Sequence, residues 1–184
     1  MMKGVIVIQS EKCNGCHLCE LACSSTKEGE YSLSKSRIRI VTNGLGGWSR
    51  PVVCLQCEDP MCLAVCTGEA IYRTTTPQGD NIVSVNKEKC IGCHQCVVAC
   101  PFGAIEYLKE QKATKCDLCG GFPVCVDFCV YDCLKFIKLS DEDYQKRSAK
   151  LKALTTKTCR SISKRESYQR RFMASYDISK LVDV

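Results

Sequence analysis

The run CIGCHQCVVACP, residues 90–101, decides what kind of chain this is. Cys90, Cys93, Cys96 and Cys100 occupy it at the spacing C-x2-C-x2-C-x3-C, and Pro101 follows the last of them. Residues 13–23, CNGCHLCELAC, repeat that pattern with Cys13, Cys16, Cys19 and Cys23 and lack only the proline. Two looser versions complete the series: CLQCEDPMCLAVC, with Cys54, Cys57, Cys62 and Cys66, and CDLCGGFPVCVDFC, with Cys116, Cys119, Cys125 and Cys129. Sixteen of the 18 cysteines in 184 residues thus fall into four quartets, an internal duplication. Cysteine at that level means that covalent or metallic cross-links hold the chain together.

Disulfides would require export. The N-terminal apolar run Val5–Ile8 is too short for a signal-peptide core, and no small-residue cleavage site or twin-arginine pair accompanies it. No stretch approaches the roughly 18 apolar residues of a membrane span. The expectation is a cytoplasmic chain without a membrane span, in which thiols stay reduced and clustered cysteines bind metal. Zinc also uses C-x2-C pairs, but four cysteines within 11 residues, twice over, wrap one tetrahedral ion poorly. They suit paired [4Fe–4S] cubanes. In C-x2-C-x2-C the chain winds around a cubane so that successive thiolates reach different irons, and Gly15 and Gly92 permit the tight wrap. The cysteine four residues after the third enters a short helix and ligates the other cubane of the pair. The run from Cys90 to Pro101 is in full the bacterial ferredoxin signature.

Composition agrees. Aromatic residues make up 7% of the chain and Trp48 is the sole tryptophan, so the ordinary apolar core is thin and cubanes supply the missing cross-links. The formal charge of +6 omits the metal; four clusters carrying about two negative charges each would bring the whole to about −2. Short strands are expected over Val5–Ile8, Arg37–Thr42, Ile82–Val85 and Ala104–Tyr107, helical turns over Leu18–Ser24 and Gln95–Cys100, and loops over Ser25–Ser36 and Thr42–Arg50. His17 and His94, between the second and third cysteines of their motifs, read as partly exposed loop residues. Cys133 reads as a small buried side chain near a cluster, and Cys159 as incidental. No nucleotide loop or catalytic constellation is visible, and thiolate-saturated clusters leave no open coordination site.

The four quartets in this order, with C-x2-C-x4-C-x3-C second, resemble the four-cluster ferredoxin-like subunits of molybdenum and tungsten oxidoreductases, the family of the dimethyl sulfoxide reductase and formate dehydrogenase iron–sulfur subunits. The resemblance spans residues 4 to 138. Its second motif, CEDPMCLAVCTGEAI, keeps Pro60 and Gly68 but has Thr67 where proline is usual. The resemblance implies an α+β fold of two ferredoxin-like, two-cluster lobes, and a non-catalytic electron-transfer role. It implies that motifs one and four share one pair of clusters and motifs two and three the other. The ligand sets would then be Cys13, Cys16, Cys19 and Cys129; Cys23, Cys116, Cys119 and Cys125; Cys54, Cys57, Cys62 and Cys100; and Cys66, Cys90, Cys93 and Cys96. Only GGFPV separates Cys119 from Cys125. That compactness is similar to the small subunits accompanying tungsten enzymes of the aldehyde ferredoxin oxidoreductase type, including aldehyde oxidoreductases and benzoyl-coenzyme A reductases. The implied partners are a catalytic tungsten or molybdenum subunit and a flavin- or NAD-binding subunit or ferredoxin. A formate dehydrogenase, hydrogenase or carbon monoxide dehydrogenase is the alternative setting, and a zinc-stabilised interaction module the remote one.

Composition shifts after residue 140. Residues 141–184 hold 11 Lys and Arg against six Asp and Glu and contain no ligand motif. The expected division is a cluster domain at 1–140 and a basic docking extension at 141–184, anchored through Lys146–Leu154 and Tyr168, Phe172, Met173 and Tyr176, on a partner or a second copy of the chain. Nucleic acid is not the expected partner, because the basic residues come without a reader motif.

Overall fold

The computed structural model describes residues 3–44, 47–107 and 112–160, with side chains described through Leu154. In chain order these form β1 (Lys3–Ile8), α1 (Leu18–Glu28), β2 (Arg39–Asn43), β3 (Trp48–Val52), α2 (Met61–Ala64), β4 (Ile71–Thr75), β5 (Asn81–Val85), α3 (Gln95–Ala99), β6 (Ile105–Tyr107), β7 (Ala113–Lys115), α4 (Val124–Asp127), β8 (Leu134–Leu139) and α5 (Asp141–Arg160). The described strands pair only as antiparallel ribbons of two: β1 with β8, β2 with β3, β4 with β5 and β6 with β7.

A two-stranded ribbon is marginal by itself, so the fold must draw its cohesion from what lies between the ribbons. What lies there is cysteine among aliphatic side chains. Ile6, Ile8, Ile38 and Leu118 pack with Cys19, Cys23, Cys116 and Cys125, while Ile71, Val83 and Ile105 pack with Cys62, Cys90 and Cys96. The connections are nested. β1 and β8, the first and last of the described strands, pair with Lys3 opposite Leu139 and Ile8 opposite Leu134, and α1 packs on α4. Between them in sequence, α2 packs on α3 and β5 lies against β7.

Two buried polar side chains tie these units together. Asp80, fully buried in the β4–β5 turn, accepts from the main-chain N–H of Gly4 in β1 at 2.7 Å, and Lys138 of β8 lies 3.4 Å away. A Cβ on Gly4 would stand 2.4 Å from Phe136 and 2.6 Å from the Asp80 carboxylate, so only glycine fits. Gln56, 3% exposed, donates to the Cys116 carbonyl at 2.8 Å and accepts from the Val83 N–H at 2.9 Å. It holds this position at φ 49°, in the left-handed region.

Several elements depart from the expectation. The turn at Leu18–Ser24 continues to Glu28, closed by Gly29 at φ 72°, a left-handed cap that costs glycine little. Thr42–Arg50, which its glycines mark as a loop, carries the end of β2 and the start of β3. β4, β7 and β8 have no counterpart among the expected strands. In β8, Lys135 and Lys138 point outward and break up the apolar run, so the strand becomes legible only against β1.

The extension begins as α5 and its inner face is seated on the body. Ser140 caps it, accepting from the Asp143 N–H at 3.2 Å and donating to the Asp143 carboxylate at 2.8 Å. Tyr144, Arg147, Leu151 and Leu154, buried at helical spacing, form one stripe. The Tyr144 hydroxyl donates to the Gln56 carbonyl at 3.2 Å, and the two leucines pack with Val52, Leu55 and Phe102. Tyr168, Phe172, Met173 and Tyr176 lie outside the described residues.

Candidate metal centres

The thiols gather in four places. Cys13, Cys16, Cys19 and Cys129 line a recess beside Ile40, Phe128 and Tyr131. The loop that carries the first three is shaped by residues in the left-handed region: Gly15 at φ 77° and His17 at φ 62°. At Gly15 a side chain is excluded as well, since a Cβ would stand 2.7 Å from the Ser49 hydroxyl. His17 turns its Nδ1 to the buried carboxylate of Glu20, which accepts from the Ile40 N–H at 2.8 Å through its other oxygen. A fifth thiol, Cys133, is 2% exposed and lines the same recess. It stands four residues after Cys129, as Ala70 and Ala104 stand four after Cys66 and Cys100.

Cys23, Cys116, Cys119 and Cys125 form the second group, each within electrostatic reach of the others. Leu118, Cys119, Gly120 and Gly121 all adopt positive φ, folding the loop back over these thiols. Asp117 stabilises that turn by accepting from the Cys119 N–H at 3.0 Å while pairing with Lys27 and with Arg37, the latter at 2.9 Å. Burial works to raise the Asp117 carboxyl, but Lys27 and Arg37 overcome it and hold the group below the usual range.

Cys54, Cys57, Cys62 and Cys100, the third group, line a recess together with Phe102 and Lys115. Cys66, Cys90, Cys93 and Cys96, the fourth group, line another. Its loop repeats the first, with Gly92 at φ 69° and His94 at φ 65°; here the histidine stacks on Tyr107 at 3.8 Å, and the Tyr107 hydroxyl lies 3.6 Å from the Cys96 sulfur. The second and third groups adjoin, since Cys54 and Cys116 interact electrostatically across the gap between them. At the outer groups one thiol each, Cys16 and Cys93, is exposed.

The donor set suits a cubane. Every group offers four sulfurs, and main-chain N–H groups point at some of them: Arg37 to Cys23, Ala104 to Cys100, Ala113 to Cys90 and Leu118 to Cys116, each at 3.4 Å. Such bonds stabilise thiolates and tune iron–sulfur centres. Among the described residues no three His, Cys, Asp or Glu side chains are gathered closely enough for a single metal ion. Burial pushes Cys19 and Cys57 up to about 12, reinforced at Cys19 by Glu20 and then by neighbouring thiols and at Cys57 by neighbouring thiols; burial does the same to Cys62 despite the opposing charge of Lys115. Left alone these groups keep their protons, so bound iron must displace them.

Sequence reading missed Glu20, Tyr107, Lys115 and Arg147, which stand close to the thiols; Glu20 lies within the first motif and the other three lie outside every motif. Charge next to a motif cysteine was the one available signal, present for Glu20 beside Cys19 and Lys115 beside Cys116. Among the described residues no helix is long and apolar enough to cross a membrane.

Models of the 4Fe–4S binding domain match residues 10–28 and 83–106, which supports [4Fe–4S] clusters as the cofactor. The polyferredoxin-like subunit of the aliphatic sulfonate oxidoreductase of Pyrococcus furiosus is 39% identical over 137 residues, 72% of this chain and 76% of the relative. The B subunit of the anaerobic dimethyl sulfoxide reductase of Escherichia coli is 37% identical over 149 residues, 70% of each protein. Among solved structures, the active-site complex BamBC of benzoyl coenzyme A reductase is similar at a TM-score of 0.47 and 21% identity, covering 85% of this chain and 91% of that one, a likeness too weak to carry an argument. With four cysteine groups in a tandem ferredoxin-like α+β fold, the chain therefore belongs to the ferredoxin-like iron–sulfur electron-transfer subunits of oxidoreductases, the family of the polyferredoxin-like and dimethyl sulfoxide reductase B subunits.

Proposed function

We propose that the chain holds four [4Fe–4S] clusters in a row and relays electrons between a catalytic tungsten or molybdenum oxidoreductase subunit and a second redox partner, a flavin subunit or a ferredoxin, without catalysing a reaction itself. The first cluster is held by Cys13, Cys16, Cys19 and Cys129, the second by Cys23, Cys116, Cys119 and Cys125, the third by Cys54, Cys57, Cys62 and Cys100, and the fourth by Cys66, Cys90, Cys93 and Cys96. The observation that carries this reading is the grouping of sixteen thiols into four neighbouring sets of four. Each set crosses motifs, so that motif one closes with motif four and motif two with motif three. A cubane saturated by thiolates offers electrons and no substrate site, which suits a conduit. The relatives, subunits of an aliphatic sulfonate oxidoreductase and a dimethyl sulfoxide reductase, support a catalytic oxidoreductase subunit as partner. The cytoplasm is the setting that keeps so many thiols reduced. The basic segment continuing α5 is assigned to docking on the catalytic subunit or on a second copy of this chain.

Anaerobic metal analysis tests the reading. Four cubanes require about 16 irons and 16 acid-labile sulfides per chain, with a brown absorbance bleached by dithionite. Twelve irons or fewer in fully reconstituted protein would overturn the fourfold count, and a colourless zinc protein would overturn the redox role.

A further inference from the structure

We infer that the cluster held by Cys54, Cys57, Cys62 and Cys100 is the most readily reduced of the four, because Lys115 and Arg147 place two buried positive charges against it. The inference rests on the four-cluster reading above. Both side chains are only 4% exposed. Lys115, at the end of β7, lines this recess and donates its ammonium to the Val83 carbonyl. Arg147 reaches in from α5 and donates to the Leu55 carbonyl at 2.7 Å, between Cys54 and Cys57 in the chain. Each spends these donors on a main-chain carbonyl rather than a carboxylate, so its charge is not cancelled there. Lys115 faces Cys54 and Cys62 and, across the junction, Cys116; Arg147 faces Cys57 and Cys54.

The other groups are set differently. Beside Cys19 of the first lies a buried carboxylate, Glu20, 4% exposed. Beside the second, Lys27 and Arg37 are both paired with Asp117, and Lys115 reaches it only from across the junction. Lys112 donates to the Cys90 carbonyl at the fourth from a half-buried position, where water screens it. Adding an electron adds negative charge, which burial opposes and a fixed buried cation favours. At an effective dielectric of about 20, one unit charge about 10 Å away shifts a one-electron equilibrium roughly tenfold, or about 59 mV. Two such charges outweigh the screened or carboxylate-paired cations elsewhere. The third cluster is then the place where an electron rests, and α5 contributes directly to it through Arg147.

The test is an anaerobic redox titration of the full chain followed by electron paramagnetic resonance, with iron counted in every sample. Lys115→Met and Arg147→Gln should each make the highest-potential centre harder to reduce by roughly tenfold, about 59 mV. Lys115→Met should also move a second centre by less, whereas Arg147→Gln should not. Lys115→Arg and Arg147→Lys, which keep the charge, should stay within about threefold of wild type. Unmoved potentials with full iron content, or equal shifts in the charge-keeping variants, would overturn the inference. If the charge-removing variants fail to assemble, Cys57→Ser decides: it must alter the highest-potential signal, and alteration of a lower one alone defeats the proposal. Fewer than four clusters in the wild type would bring down the underlying reading, and this inference with it.

Discussion

Replacing Gln56 with alanine removes one side chain and orphans two main-chain groups at once. The Val83 N–H and the Cys116 carbonyl both sit in the interior and both bond to the Gln56 amide, at 2.9 and 2.8 Å. A buried polar group left unpaired costs about 1–3 kcal/mol, so Gln56→Ala should lose about 2–6 kcal/mol. For a chain of this size each kcal/mol is worth about 2–4 °C of Tm, which predicts a fall of roughly 5–20 °C. The left-handed backbone at Gln56 supplies a control. Gln56→Gly relieves that strain, worth about 1–2 kcal/mol, against a loss of about 0.4–1 kcal/mol from the freer unfolded chain. Glycine should therefore match or slightly exceed alanine, with both well below wild type. The assay is anaerobic thermal unfolding at one fixed scan rate, since cluster loss is irreversible, read by far-ultraviolet circular dichroism and by visible absorbance. A Gln56→Ala protein melting within 2 °C of wild type would refute the reasoning, and so would a Gln56→Gly protein more stable than wild type.

Three further outcomes follow from the packing. Gly4→Ala forces a Cβ onto Phe136 and Asp80 and should cost about 1–3 kcal/mol as overpacking; unchanged unfolding would mean that β1 and the β4–β5 turn are looser than described. Leu151→Ala should cost about 2–5 kcal/mol if α5 belongs to the body, and a loss under 0.5 kcal/mol would make α5 a detached arm. Ser140→Ala should cost about 0.5–2 kcal/mol through the lost cap. The Ser140 hydroxyl and Lys146 hold the Asp143 carboxyl below its ordinary value. Its contribution is accordingly present above about pH 4 and fades as pH falls through the lowered folded value. Amide exchange of α5 on either side of that pH, equally acid-sensitive in wild type and Ser140→Ala, would contradict the cap.

What the sequence revealed and concealed follows from how each feature is encoded. The cysteine loops were legible because ligand spacing is a local property: the wrap needs Gly15 and Gly92 where they stand, and the short helices after them follow. β8 was hidden because its partner is the first of the described strands and its lysines mask the alternation. The inward face of α5 was hidden for a related reason. Arg147 reads as part of a basic stretch, yet its guanidinium is spent on a carbonyl 92 residues earlier. The buried cations Lys115 and Arg147 belong to no motif, since an electrostatic role depends on where a side chain is buried rather than on its neighbours in sequence.

The nesting of the chain also sets an order of events during synthesis. The middle unit, with α2 on α3 and β5 against β7, is complete once residue 115 has left the ribosome. The first recess cannot close until Cys129 has been made, and β1 must wait for β8, more than 120 residues downstream. Long-range pairing is slow because the closure entropy is paid before any contact returns it. The third and fourth cysteine groups are thus able to take up metal on a nascent chain, whereas Cys13, Cys16 and Cys19 stay open until Cys129 has followed. Cells short of iron or exposed to oxidant should accumulate a half-built form, metallated in the middle and vulnerable at both ends of the chain.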